Sequence, residues 1–150
     1  MPITVFSHEH FMREALRLAR RAEAENEIPI GAVVVAGNQI VGKGYNQTER
    51  LHDVTAHAEM LALTAASNFF GSKYLTDCTL YCTIEPCPMC AGAVAWAQIP
   101  RLVYGAPDPK KGYSLFTPNL LPRKVKVVSG ILEQECAQLM RQFFLSRRVR

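Results

Sequence analysis

Two short stretches carry the side chains best suited to chemistry: His57-Ala58-Glu59 and Pro86-Cys87-Pro88-Met89-Cys90. The first offers an imidazole and a carboxylate, the second two thiols three positions apart. Zinc favours nitrogen and sulfur donors in a tetrahedron, and a catalytic zinc keeps three protein ligands and leaves one position to water. His57, Cys87 and Cys90 make such a set, enough for one zinc ion per chain. A helix starting near Pro88 puts both cysteines beside its first turn, where unpaired N–H groups and the positive dipole end favour thiolate over thiol. Pro88 suits the first helical position, which needs no N–H partner. Glu59 then lies off the metal, placed to accept a proton from the water. Taken singly, a C-x-x-C is also a redox pair or half of a structural zinc site, and H-x-E alone carries little. A structural site would recruit a fourth ligand from His52, Cys78 or Cys82, yet Cys78 and Cys82 flank a strand-like run and read as small core residues.

These stretches need elements to hold them. Ser7 is placed to cap a helix reaching about Glu25, with Met12, Ala15, Leu16, Ala19 and Ala22 at helical spacing. Pro29 stops it, and Ile30 to Val35 reads as a buried strand. Gly37-Asn38 makes a turn, and Gln39 to Tyr45 returns as the hairpin partner. Thr55 is placed to cap the helix that carries His57 and Glu59 and ends before Gly71. Thr79 to Ile84 forms a third strand, which delivers the chain to the cysteines at its C-terminal end, where ligands sit in open α/β sheets. The helix Pro88 to Gln98 is almost wholly apolar and should be buried on several sides, with Trp96 in a core or an interface. Arg101 to Gly105 and Lys124 to Val128 supply two more strands. Between them Ala106 to Arg123, with Pro107, Pro109, Pro118 and Pro122, is a shaped loop with room for one short helix. Glu133 to about Arg147 closes as an amphipathic helix. The order implies one α/β domain over residues 1–150, with a five-stranded mixed sheet between helical layers in a three-layer α/β/α sandwich.

H-x-E followed by P-C-x-x-C is the signature of zinc-dependent nucleobase deaminases. From about Ser7 to Arg148 the chain resembles the bacterial tRNA-specific adenosine deaminases within the cytidine-deaminase-like superfamily. The resemblance implies hydrolytic conversion of the wobble adenosine of a tRNA anticodon to inosine, with release of ammonia. It gives Glu59 the catalytic part, taking a proton from water, passing it to the ring nitrogen beside the attacked carbon, and assisting departure of ammonia. Gly44-Tyr45-Asn46 matches a family pattern of glycine, aromatic and asparagine, whose asparagine amide contacts the flipped base. Read from the residues alone, Asn46 is a turn former. Asp108 and Lys110 match an Asp-x-Lys that contacts the RNA loop, and Phe143-Phe144-x-x-Arg147 matches a C-terminal pattern that brings Phe144 near the anticodon. Both phenylalanines also fit the apolar face of the closing helix. The resemblance further implies a cytidine-deaminase-like fold with its last two strands parallel, and a homodimer with sites near the interface. The family usually continues into Gly-Ala-x-Gly-Ser, whereas this chain reads Gly112-Tyr113-Ser114-Leu115-Phe116, and Pro107 stands where arginine is common. Deaminases of free guanine, cytosine or nucleosides share the zinc motif, so the motif alone does not set the substrate. A non-catalytic zinc module for RNA or a partner would not need Glu59.

The chain has 150 residues and a net charge of +4, unevenly spread: residues 1–100 carry 7 Lys/Arg against 10 Asp/Glu, residues 101–150 carry 10 against 3. Lys110, Lys111, Arg123, Lys124, Lys126, Arg141, Arg147, Arg148 and Arg150 form this basic third, either a solvated face or a surface for phosphates. Five cysteines, an odd number with two read as metal thiolates, and no charged-then-apolar leader point to a reducing cytoplasm. No run approaches the length of a membrane span.

Overall fold

The computed structural model describes residues 7–148; Arg150 of the basic tail lies outside them. Helix α1 (His8–Ala24) starts where the Ser7 hydroxyl accepts the His10 N–H at 3.1 Å, and it buries Met12, Ala15, Leu16, Ala19 and Ala22 as their spacing requires. Strands β1 (Gly31–Ala36) and β2 (Gln39–Tyr45) form an antiparallel hairpin. Its turn takes positive φ at both Gly37 (55°) and Asn38 (64°), the combination that matches the twist of the flanking strands.

Helix α2 (Ala58–Phe70) ends on Gly71 in the left-handed conformation, and β3 (Thr79–Ile84), α3 (Pro88–Trp96) and β4 (Arg101–Ala106) follow. A single turn, α4 (Tyr113–Phe116), lies in the proline-rich loop before β5 (Lys126–Val128) and α5 (Glu133–Arg148). The five strands lie in the order β2-β1-β3-β4-β5. β1 is antiparallel to both neighbours, and the β3–β4 and β4–β5 pairs are parallel. The C-terminal ends of β2, β3 and β4 therefore open onto the same sheet edge.

Alternation along the strands divides the core. Ala32, Val34, Leu80, Cys82 and Leu102 pack against α2 and α3, whereas Val33, Val35, Tyr81 and Val103 pack against α1 and α5. Strands covered on both faces need apolar residues at consecutive positions, which is why Ala32 to Val35 reads as an unbroken run. The chain is thus a three-layer α/β/α sandwich around a five-stranded mixed sheet.

Four expectations need correction. Thr55 does not cap α2: its N–H (2.8 Å) and hydroxyl (2.7 Å) both reach Asp53 Oδ1, and His57 itself occupies the N-cap position. The helix α3 stops at Trp96, because Gln98 turns into positive φ (60°). Nor is α3 buried on several sides in the single chain: only Cys90, Ala91 and Val94 are buried, and Trp96 is 85% exposed. A helix lying on the outer face of a sheet can turn only one stripe inward. At the C-terminal side, β5 begins at Lys126 instead of Lys124, after the Val125 N–H folds back onto the Pro122 carbonyl at 3.0 Å.

Candidate active site

Both chemistry-bearing stretches sit at helix starts. His57 is the N-cap of α2 and Cys87 the N-cap of α3, each in extended conformation and neither making a side-chain capping bond. Pro88 occupies the first helical turn of α3 and Cys90 ends that turn, buried. Two helix N-termini with their unpaired N–H groups therefore converge, which favours anionic sulfur between them. Close seating of α2 on β2 makes this convergence possible. A Cβ at Gly44 would strike the Ala58 carbonyl, so glycine lets the first turn of α2 lie directly on the strand.

His57 Nδ1 lies 3.6 Å from Cys87 Sγ and 3.5 Å from Cys90 Sγ. The ligand atoms of the three residues all fall within 4.8 Å of one another, and among the described residues no other group of three potential metal ligands gathers in this way. One imidazole nitrogen and two sulfurs fit zinc as a donor set, with room for a fourth ligand. Hydrogen bonding from Cys90, then from His57, holds the Cys87 thiol down to about 4. The bond to Cys87 pushes Cys90 up in turn, and the same sulfur raises His57. His52, raised above as a structural fourth ligand, is exposed with φ of 51° and stands outside the group, as do the buried Cys78 and Cys82.

Glu59, in the first turn of α2, is 4% exposed. Burial pushes its carboxyl up to about 7, against hydrogen bonds from its own N–H and from Cys90. A carboxyl held there is matched to both taking and giving a proton near neutrality. Asn46 is buried at the end of β2, where its N–H reaches the Ile30 carbonyl at 3.1 Å and its Oδ1 accepts the Thr48 N–H at 3.3 Å. The next residue binds the segment before His57, Gln47 N–H to the Ala56 carbonyl at 3.0 Å.

The remaining candidates are dispersed. Asp108 Oδ1 accepts the N–H groups of Lys110 and Lys111, each at 3.0 Å, so this carboxylate folds its own loop. Lys110 is exposed, and the charge of neighbouring Lys111 is felt at His57. Phe144 is exposed on α5, edge-on to the buried Phe143 at 5.4 Å. Arg147 stacks on Phe143 and reaches the Asn26 carbonyl at 3.3 Å, across the end of α1. Asn26, Phe143 and Arg147 line a groove of 820 Å³ between the 25–28 segment, the 48–50 loop and α5, and neither Asp108, Lys110 and Phe144 nor Glu59 and the three metal-ligand candidates line it.

Two buried carboxylates carry no sequence signal at all. Glu27, 2% exposed, accepts the N–H groups of Glu49 (3.1 Å) and Arg50 (2.8 Å) and so fixes the loop after Asn46. Glu85 does the same for the loop after β4. The altered stretch Tyr113–Phe116 forms α4, whose Tyr113 packs into the core while Leu115 and Phe116 stay exposed.

Residues 6–106 match the model of the cytidine and deoxycytidylate deaminase zinc-binding region. The chain is 43% identical over 141 residues to a tRNA-specific adenosine deaminase of Bacillus subtilis, covering 91% of this chain and 88% of that one. It superposes with a TM-score of 0.81 and 41% identity on a structure from work on A-to-I editing by tRNA:A34 deaminases, covering 87% of this chain and 98% of the other. A guanine deaminase of Nitrosomonas europaea is also similar, with a TM-score of 0.83 at 26% identity over 95% of this chain and 87% of that one. The chain therefore belongs to the cytidine and deoxycytidylate deaminase family of zinc proteins, among the tRNA-specific adenosine deaminases.

Proposed function

We propose that this chain is a single-domain, zinc-dependent hydrolase that converts the wobble adenosine of a tRNA anticodon to inosine and releases ammonia. The observation that carries the reading is the meeting of His57, Cys87 and Cys90 at two helix N-termini beside the buried Glu59. His57, Cys87 and Cys90 hold one zinc. When bound, zinc acidifies a water so that hydroxide is available at neutral pH. Glu59 takes the proton released as water attacks C6 of the adenine and delivers it to N1. It then takes the remaining proton of the added hydroxyl and passes it to the amino group, which leaves as ammonia while C6 becomes a carbonyl. Asn46 orients the base, which must leave its stack to enter, and an anticodon loop allows that more cheaply than a duplex. Asp108 shapes the loop that presents Lys110, and Lys110 and Phe144 meet the RNA around the base.

The experiment is a comparison of substrates. An anticodon stem-loop with adenosine at the wobble position should yield inosine, and free adenosine, cytosine or guanine should react poorly. With about three phosphates neutralised by Lys110, Lys111 and α5, raising salt from 50 to 200 mM should weaken stem-loop binding about 20-fold. The likeness to a guanine deaminase keeps a second reading in view, turnover of a free base. Fast, salt-insensitive turnover of such a base, with no inosine formed in RNA, would reject the tRNA reading in its favour.

The chain works as a homodimer in a reducing cytoplasm. All five cysteines are free, and Cys87 and Cys90 serve the metal only as thiolates. Among the described residues no helix is long and apolar enough to cross a membrane. Trp96 and Met89 on α3, with Leu115 and Phe116 on the adjoining α4, leave apolar surface uncovered. Burying an indole of roughly 200 Å² at about 25 cal/mol per Å² is worth up to about 5 kcal/mol per protomer, a contribution that works against the cost of association. Trp96 is the chain's one tryptophan, so its emission should shift to the red as dilution splits the dimer, and Trp96→Glu should leave monomers. A fully active monomer at micromolar concentration, seen by light scattering, would remove the dimer.

A further inference from the structure

We propose that Glu85 is a positioning residue for substrate, the anchor that fixes the 108–114 loop to the segment bearing the metal ligands. This rests on the tRNA reading and deepens it. Glu85 stands two positions before Cys87 and is 4% exposed. Its N–H donates to the Ala106 carbonyl at 2.8 Å, which ties the ends of β3 and β4 together. Its side chain then reaches across the loop: Oε1 accepts the Asp108 N–H at 3.2 Å, and Oε2 accepts the N–H (3.2 Å) and hydroxyl (2.6 Å) of Ser114. Both ends of the loop thus hang on one carboxylate.

Between those ends the loop closes on itself and on the Cys87 segment. The Lys110 and Lys111 N–H groups meet Asp108 Oδ1, and the Tyr113 N–H meets the Pro86 carbonyl at 2.9 Å. A Cβ on Gly112 would collide with the Glu85 carboxylate, so a larger residue there would push the carboxylate off its present partners. Three donors converge on Glu85, and an ionised carboxylate is acceptor-only, with room for about four such bonds. A glutamine keeps the shape but must aim an NH₂ at one of those donors.

Pro86, whose carbonyl takes the Tyr113 N–H, is the residue next to Cys87, so the loop borders the metal-ligand cluster. Glu85 touches no reacting atom in this arrangement. Its effect passes through Asp108, which it holds and whose carboxylate sets the backbone of Lys110 and Lys111, and so falls on RNA binding before it falls on the chemical step.

The test uses the full-length zinc-loaded enzyme, an anticodon stem-loop and the variants Glu85→Gln and Ser114→Ala. Glu85→Gln should keep about one zinc per chain, raise KM for the stem-loop about tenfold with a much smaller change in kcat, and speed amide hydrogen exchange at Asp108 and Ser114. Ser114→Ala, at an exposed residue, should move KM the same way by a smaller factor, and the double variant should show less than the sum of the two effects. A KM within about twofold of wild type in Glu85→Gln, or unchanged exchange at Asp108 and Ser114, overturns the proposal. If Glu85→Gln does not fold, an unchanged KM in Ser114→Ala overturns it. Wild-type enzyme that forms no inosine in the stem-loop rejects the tRNA reading and this role together. Normal wild-type turnover with an unmoved KM in the variants rejects the role of Glu85 alone.

Discussion

Glu59→Ala should retain about one zinc per chain while kcat for deamination falls about 10³-fold. Glu59 stands outside the group of three that approach within 4.8 Å, so its removal takes nothing from the metal. The loss falls on proton transfer, where a positioned carboxylate contributes roughly 10²–10⁴-fold. The site offers no neighbour to take over: the two sulfurs and the imidazole beside Glu59 are committed to the metal. Nor should the fold suffer, because a buried carboxyl is costly to house and its removal relieves that cost. Zinc content by atomic absorption and inosine by nuclease digestion and chromatography check both halves. A metal-free Glu59→Ala protein would make Glu59 a ligand and overturn the division of roles. A variant with zinc and near-wild-type kcat would leave the proton shuttle without its carrier.

Cys87→Ala should lose the zinc and, with it, deamination. Two ligands remain, and a catalytic site relies on three. The metal also stabilises the native state by mass action. Zinc at a thousandfold above its dissociation constant adds about 4 kcal/mol, and for a chain of this size each kcal/mol moves Tm by about 2–4 °C. Cys87→Ala should therefore melt roughly 10 °C below the zinc-loaded enzyme and close to the same enzyme stripped by a chelator. Calorimetry on the three samples checks this. If Cys87→Ala kept its zinc and its Tm, Cys87 would be no ligand, and the third donor would have to be sought elsewhere.

Much of the fold was legible from the chain because its signals are local. The spacing of Met12, Ala15, Leu16, Ala19 and Ala22 is a helical stripe, Gly37-Asn38 is a turn by backbone chemistry, and Thr79 to Ile84 is bounded as observed. The boundaries that moved depend on less local events. Thr55 has the chemistry of a cap, but the acceptor offered by Asp53 two residues earlier drew its hydroxyl away. The apolar pattern of α3 continues past Trp96, yet the chain must reverse at Gln98 to enter β4.

By itself, the sequence determined the donor types and their spacing: an imidazole and a carboxylate at the start of one helix, two thiols at the start of another. Chemistry that lives in side-chain type and in neighbours three or four positions away is written along the chain. Only the tertiary structure decided that β2, β3 and β4 end at one sheet edge, so that residues 57 and 87 meet. Tertiary structure likewise turned Asp108 toward its own loop and left Trp96 uncovered. It also separated Glu27 and Glu85 from the other glutamates. The chain gives these two no mark of their own, because an anchor is defined by the backbone N–H groups that folding brings to it from more than twenty residues away.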